Sequence, residues 1–430
     1  MPSKVTSILP NTDIAITPSG YRLKGVTLTN HRGNSIDIQP IVTDFSITES
    51  IYTPFLTASF TIKDIVNFIE EFQLSGYEKI TVSISRTEPD KSTSVELDFF
   101  VVEYPMYGRG QQNTQVYKIS AITEHGYVSK MMSICRSFKD SSGDAIKKII
   151  EDDLKVKTFQ TKGTITSNFS GVIPYMNPLD ASAFLLRRTT DSKSSPCFLY
   201  QTLDNKVTLA TYTSMITEKV YDTYYVGSLF KATPNTPEEF KERKTRILSM
   251  ASDFRMSKVI PTALGAFASE TAALDLTTKA YVKHMFNYKT ASLDKDSITG
   301  KSLLSSKYDV DLSTKSAAAR HFIPVAASTY NDATSYNESA KKTWGITNAK
   351  VQNLDSAVHD LELHGDLELN AGKMIEIKIP LAIEPGSRPD VLLYDKLISG
   401  KYMVTSVIHT FTNEYYIQAR IKRDSSGIDL

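Results

Sequence analysis

The sequence is poor in the residue types that usually carry chemistry. Among 430 residues there are two cysteines, seven histidines and a single tryptophan. Cys135 and Cys197 stand far apart with no CxxC pair, which excludes the spacing of a zinc knuckle. Both are expected to be reduced, buried thiols that act as small hydrophobes. No run of about 18 apolar residues occurs, so no helical membrane span is expected. The opening MPSKVTSILPNTDIAITPSG has no apolar core followed by a small-residue cleavage site, so it does not read as a secretory leader. A chain made in a cytoplasm and remaining soluble is the expectation. Charge of one sign is missing as well: 49 Lys and Arg against 48 Asp and Glu leave a net +1. Such a balance gives no electrostatic reason for a whole face to hold nucleic acid.

Catalytic motifs are equally scarce. There is no GxSxG, HExxH, Walker loop or GxGxxG. The glycine-rich YGRGQQN at 107–113 lies between two strand-like runs and reads as a hairpin loop. In HDLELH, His359 and His364 are separated by an odd offset, so a strand points them to opposite faces and they cannot share a metal. They are expected to be exposed strand-edge residues, and His125, His284 and His409 to be structural. The acidic pairs Glu70-Glu71, Glu151-Asp152-Asp153 and Glu238-Glu239 are adjacent in sequence rather than opposed across a cleft, as a glycosidase would need. The basic run KERKTR at 241–246 reads as a solvated helix face, with Glu239 and Arg243 at pairing distance. No catalytic, metal or cofactor residue is therefore assigned.

What the sequence does have is alternation. Hydrophobic content of 41% and charged content of 23% are globular values, and the length fits two to four domains. From about Tyr21 to His125 the runs YRLKGVTLTN, SIDIQPIVTDFSITESI, LTASFTIKD, KITVSISRT, VELDFFVVEY and QVYKISAITEH alternate with period two. Helices are expected over 141–154, over 177–191 with Asn177 as cap and Pro178 in the first turn, and over 236–256 behind Thr236-Pro237. A hairpin turning at Asp204-Asn205 fits 196–212. Residues 291–335 read as a long loop, and helical character returns around 335–356. The end of the chain alternates again, and Ile375, Ile377, Ile379 and Val404 are its expected barrel core.

The order of these elements resembles the central baseplate hub protein of contractile bacteriophage tails, and the related hub portion of type VI secretion spike proteins. Three stretches carry the likeness. They are the helix and hairpin of 177–209, the segment from Gly265 to Tyr288 with Asp275 and Thr278-Lys279-Ala280-Tyr281, and the run from Leu361 to Arg423. Gly365, Gly372 and Ser399-Gly400-Lys401-Tyr402 mark turns of that last run.

The resemblance implies an α+β, mainly β chain with two hub-type β-barrel domains and an intervening α/β and helical region. The corresponding division is an arm at 1–20, a first barrel at 21–130, a mixed middle domain at 131–219, strands at 220–235 offered to the second barrel, a helical region at 236–356 and the second barrel at 357–430. It implies a structural role in the virion tail baseplate. The homotrimer would adapt a sixfold tail tube to a threefold central spike, touch neighbouring baseplate proteins and pass viral DNA through its lumen, without membrane insertion. Ring contacts are expected from Arg109 and Gly110 in one loop and from Pro385, Gly386, Arg388 and Pro389 in another. Two other readings compete: a carbohydrate-binding or adhesive tail module using the 22 tyrosines, and a tail-associated cell-wall hydrolase.

Overall fold

A computed structural model describes residues 17–64, 72, 74–109, 115–227, 236–253, 258–275, 279–304, 320–325, 333–381 and 394–428. The chain is mainly β, with α-helices between two β-rich ends. It opens with β1 (Arg22–Thr29), β2 (Ser35–Asp37), β3 (Val42–Ser50), β4 (Thr57–Asp64), β5 (Lys79–Thr87), β6 (Ser92–Arg109) and β7 (Gln115–Thr123). In β5, Ile80, Val82 and Ile84 are fully buried while Thr81 and Ser83 face outward, so the period-two pattern is realised as one core face.

The middle of the chain is mixed. Helix α1 (Glu124–Met131) leads to β8 (Ile134–Ser141) and α2 (Ser142–Lys148), which runs into a π turn at Ile149–Asp153. There follow β9 (Phe159–Lys162), β10 (Asn168–Met176), α3 (Pro178–Leu186), β11 (Cys197–Gln201), β12 (Val207–Thr211) and α4 (Tyr212–Ile216). The start of α3 is fixed by chemistry: Asn177 accepts from the Asp180 amide, and Pro178 supplies a preset φ. Asn205 makes the β11–β12 turn in the left-handed region at φ 61, a conformation asparagine tolerates. Ile146, Ile149, Ile150, Leu179, Leu185 and Leu199 form the core of this region.

Next come β13 (Thr223–Val226), α5 (Pro237–Lys244) and β14 (Arg246–Asp253), then α6 (Val259–Ala263), β15 (Ala268–Asp275), β16 (Tyr281–Asn287), β17 (Arg320–Val325) and α7 (Ala333–Asn353). The chain closes with β18 (Ala357–His364), β19 (Met374–Lys378), β20 (Gly400–Phe411) and β21 (Tyr415–Arg423). The helix expected over 236–256 ends at Lys244, and its second half is strand β14. The cause is tertiary: β14 fills a place between β13 and β18 that only an extended segment can occupy. The 291–335 stretch also differs from a plain loop, since it contains a 3-10 turn at Leu293–Asp296 and strand β17.

Thirteen strands make one sheet in the order β19-β13-β14-β18-β21-β20-β3-β4-β7-β6-β5-β1-β2. A further pairing of β19 with β20 closes the first six into a barrel. The other seven continue from it through the antiparallel ladder of β3 and β20, in which Phe45 faces Phe411 and Ser50 faces Ser406. One core serves both parts. At their junction Phe411 stacks on Phe45 with centroids 4.6 Å apart and on Tyr415 at 4.3 Å, and Tyr21 meets Phe411 edge-on at 5.3 Å. Each such pair contributes about 0.5–1.5 kcal/mol beyond its buried area.

Ile375, Ile377 and Val404 are wholly buried in this core, and Ile379 packs against it half-buried. An Ile377→Asp change places an unpaired carboxylate there. A loss of about 3–5 kcal/mol is expected, read as a large fall in thermal midpoint. An unchanged midpoint would contradict the inward placement of Ile377.

Candidate assembly face

Registers between strands map the outer face of the sheet residue by residue. One cross-strand row runs Ala251, Asp360, Arg420, Ser406, Ser50. The next runs Ser249, Glu362, Gln418, Ile408, Thr48, Thr57, Ile122. The third runs His364, Tyr416, Thr410, Ser46, Ser59, Ser120, Glu103. From β14 to β6 this face crosses eight strands, which at about 4.8 Å per interval is roughly 34 Å. Where β20, β3, β4 and β7 meet, its side chains are almost all serine and threonine. Short side chains leave shallow hollows of about 390 and 260 Å³ over the two halves.

The charges on these rows are few and mostly engaged. Arg420 grips Asp360 through two hydrogen bonds of 2.8 and 2.9 Å, and Ser249 donates to Glu362 at 2.9 Å. Three carboxylates (Asp360, Glu362, Glu103) stand against the one guanidinium of Arg420. These three rows are therefore hydroxylic and slightly acidic, and just beyond them the exposed Lys118 of β7 lines the smaller hollow together with Glu103.

Behind the face lies a charged clasp. Lys244, at the end of α5, reaches Glu88 at 2.8 Å and Asp366 at 2.9 Å, and all three side chains are largely buried. Arg86 adds an ion pair to Glu88 at 3.0 Å and donates to the Pro18 carbonyl at 2.7 Å. Tyr221 donates to Asp366 at 2.8 Å. Burial alone would raise the Asp366 pKa, but the Lys244 ammonium and the hydrogen bonds hold it below the usual carboxylate range. The KERKTR run is thus a solvated face only in part: Lys241 and Arg243 are exposed, Arg243 pairs with Glu239, and Lys244 is a buried cation.

The histidines divide in the same way. His359 and His364 do point to opposite faces of β18, yet His359 is not exposed. Its ring contacts Ser252 Oγ at 2.9 Å and Tyr402 Oη at 3.2 Å inside the barrel, and burial lowers its pKa to about 4. His409 lies between Tyr415 Oη at 2.7 Å and Glu49 at 3.3 Å, and His125, in α1 rather than in a strand, contacts the Pro54 carbonyl at 2.8 Å. Cys197 is buried as expected, whereas Cys135 is exposed on the outer side of β8. A nucleophile-like pair that sequence spacing cannot reveal also occurs. Lys350 Nζ donates to Ser195 Oγ at 2.7 Å and to the Lys193 carbonyl at 3.1 Å. Ser195 is fully buried, so this pair fastens α7 to the 191–195 turn.

Of the residues assigned to ring contacts, Arg109 has its backbone opposite Gln115 at the tip of the β6–β7 hairpin. Gly110, Pro385, Gly386, Arg388 and Pro389 lie outside the described residues. Following the registers, Arg109 lies beyond the Phe411 end of β20.

No family model and no curated protein matches the sequence. Solved structures do resemble it. The tail protein from Neisseria meningitidis MC58 aligns with a TM-score of 0.53 at 13% identity, over 94% of this chain and 97% of that one. The 43 kDa tail protein of prophage MuSo2 from Shewanella oneidensis aligns at 0.52 and 10% identity, over 94% and 99%.

Removing the Lys244 charge tests the clasp. Lys244→Met leaves Asp366 buried without its cation and Glu88 with Arg86 alone, with an expected loss of about 3–5 kcal/mol. The depressed pKa of Asp366 also sets a sign. Its contribution is present above the ordinary carboxylate pKa and is lost as pH falls through the lower folded value. The wild type should lose thermal stability in that acid window, and the variant should lose less there; parallel pH profiles would show that the pair does not couple. The likeness to known structures extends over nearly the whole chain, and at these identities it is one of fold: the chain has the fold of these tail proteins.

Proposed function

We propose that this protein is a structural baseplate hub of a contractile phage tail. Three copies form a ring that joins a sixfold tail tube to a threefold spike, and the hydroxylic sheet face lines a lumen through which DNA passes. The observation that carries this reading is the outer face itself: eight strands on which serine and threonine predominate where β20, β3, β4 and β7 meet, Arg420 is taken up by Asp360, and Lys118 shares a hollow with Glu103, all supported on two adjoining β-rich halves. Two halves per copy would give three subunits six β-rich units around an axis. A passing polyanion needs a surface that releases it, and free lysines or arginines would instead retain phosphates by counterion release. The fold shared with tail proteins supports the same role.

Light scattering on the purified chain should return three times 47.9 kDa; a stable monomer at micromolar concentration overturns the ring. Ser46→Arg combined with Ser120→Arg should keep the fold, because both side chains face outward. The variant should then bind double-stranded DNA in a salt-dependent manner that the wild type lacks. Equal DNA binding by the two proteins would remove this face from the lumen. Charge reversal at Arg109 and Arg388 should weaken assembly with tube or spike, measured by co-sedimentation.

A further inference from the structure

We infer that the apolar cleft between α3 and α7 is a docking site for an amphipathic helix of a partner protein, one that carries carboxylates beside its apolar face. The cleft has a volume of about 610 Å³, within the range of sites that enclose a ligand or a few anchor side chains. Its floor is β11, with Phe198 and Leu199. One wall is α3, which presents Leu179, Ala183 and Leu186, an i, i+4, i+7 stripe. The other is α7, which presents Trp344, Asn348 and Val351 with the same spacing. Two helical ridges of matching period face each other across open space. That is the groove into which a third helix packs with its own i, i+4, i+7 anchors.

Exposure and charge point the same way. Trp344 is 39% exposed and Val351 41%, although both are large apolar residues on a helix whose opposite side, at Ala349, is fully buried. The rim carries Lys130 and Arg187, both exposed and neither paired with a carboxylate among the described residues. Among the described residues the one acid at the rim is Asp180, which already accepts from the Asn177 side-chain amide. Lys130 lies in the last turn of α1 and Arg187 at the C-cap of α3, where cations are favoured by the helix ends and are held near the cleft mouth. An apolar trough flanked by two free cations is complementary to an apolar helix flanked by acids. The inference stands apart from the ring, since it uses neither the sheet face nor the strand ends.

Trp344 is the only tryptophan in the chain, so its emission reports on this cleft alone. The test uses the full chain and a 14-residue helical peptide with leucines at i, i+4 and i+7 and glutamates at both ends. A counterpart with lysines at both ends is the control. Saturable binding of the glutamate peptide with a blue shift of Trp344 emission is expected, at least tenfold weaker for Lys130→Glu with Arg187→Glu. Ala183→Phe, which fills the cleft from an exposed position, should abolish it and keeps the test open if the charge variant fails to fold. Three results overturn the inference: no shift, equal binding of both peptides, or a shift produced by protein concentration alone, which would make a second copy the occupant. A blue shift with phosphatidylglycerol vesicles and none with peptide would overturn it in favour of a membrane surface.

Discussion

The molecule depends on how it satisfies Glu49. This carboxylate is fully buried at the end of β3, where an unpaired charge would cost several kcal/mol. It accepts from the Leu203 amide at 3.0 Å, from the Ala371 amide at 3.1 Å and contacts His409 at 3.3 Å. Those groups belong to the β11–β12 turn, to the segment before β19 and to β20. One side chain thus requires the middle domain, the barrel and the N-terminal strands to be in place together. The aromatic stack of Phe45, Phe411 and Tyr415 and the Lys244 clasp work at the same junction. Gly365 belongs to it too: a Cβ there would lie 2.0 Å from the Tyr415 ring, so the chain passes that ring only as glycine.

This arrangement separates two kinds of surface. Buried charges and aromatics on the inner side make the two β-rich parts one body. The outer side is left mainly with serine and threonine, with Asp360 taken up by Arg420 and Lys118 sharing a hollow with Glu103. The middle region differs, because its helices leave apolar side chains such as Trp344 and Val351 open to solvent. Polarity and apolarity are therefore distributed by region.

Most strands were legible in the sequence because each buries one face, as Ile80, Val82 and Ile84 do against Thr81 and Ser83. The α3 cap and the Asp204-Asn205 turn were legible because their determinants are local. Strand β14 was not, since RILSMASD follows a well-signalled helix start and becomes a strand only through β18, over a hundred residues later. His359 and Lys244 were misread for a related reason. Polar neighbours in sequence mark a residue as exposed, yet Tyr402, Glu88 and Asp366 come to them from distant segments. The rows of hydroxyls needed register, which alternation alone does not supply. The cleft needed two helices separated by nearly 150 residues to be seen side by side.

The β3–β20 ladder has a consequence in time. Its partners are about 360 residues apart, as with His409 opposite Ile47. At a synthesis rate of roughly 5–20 residues per second, β3 waits on the order of 20–70 s for its neighbour. During that interval its edge is an open template for any other strand. Contacts of such long range slow folding and prolong exposure. The serine and threonine of the outer face also make that waiting edge less sticky on one side, so a surface that is polar in the finished protein protects the unfinished one.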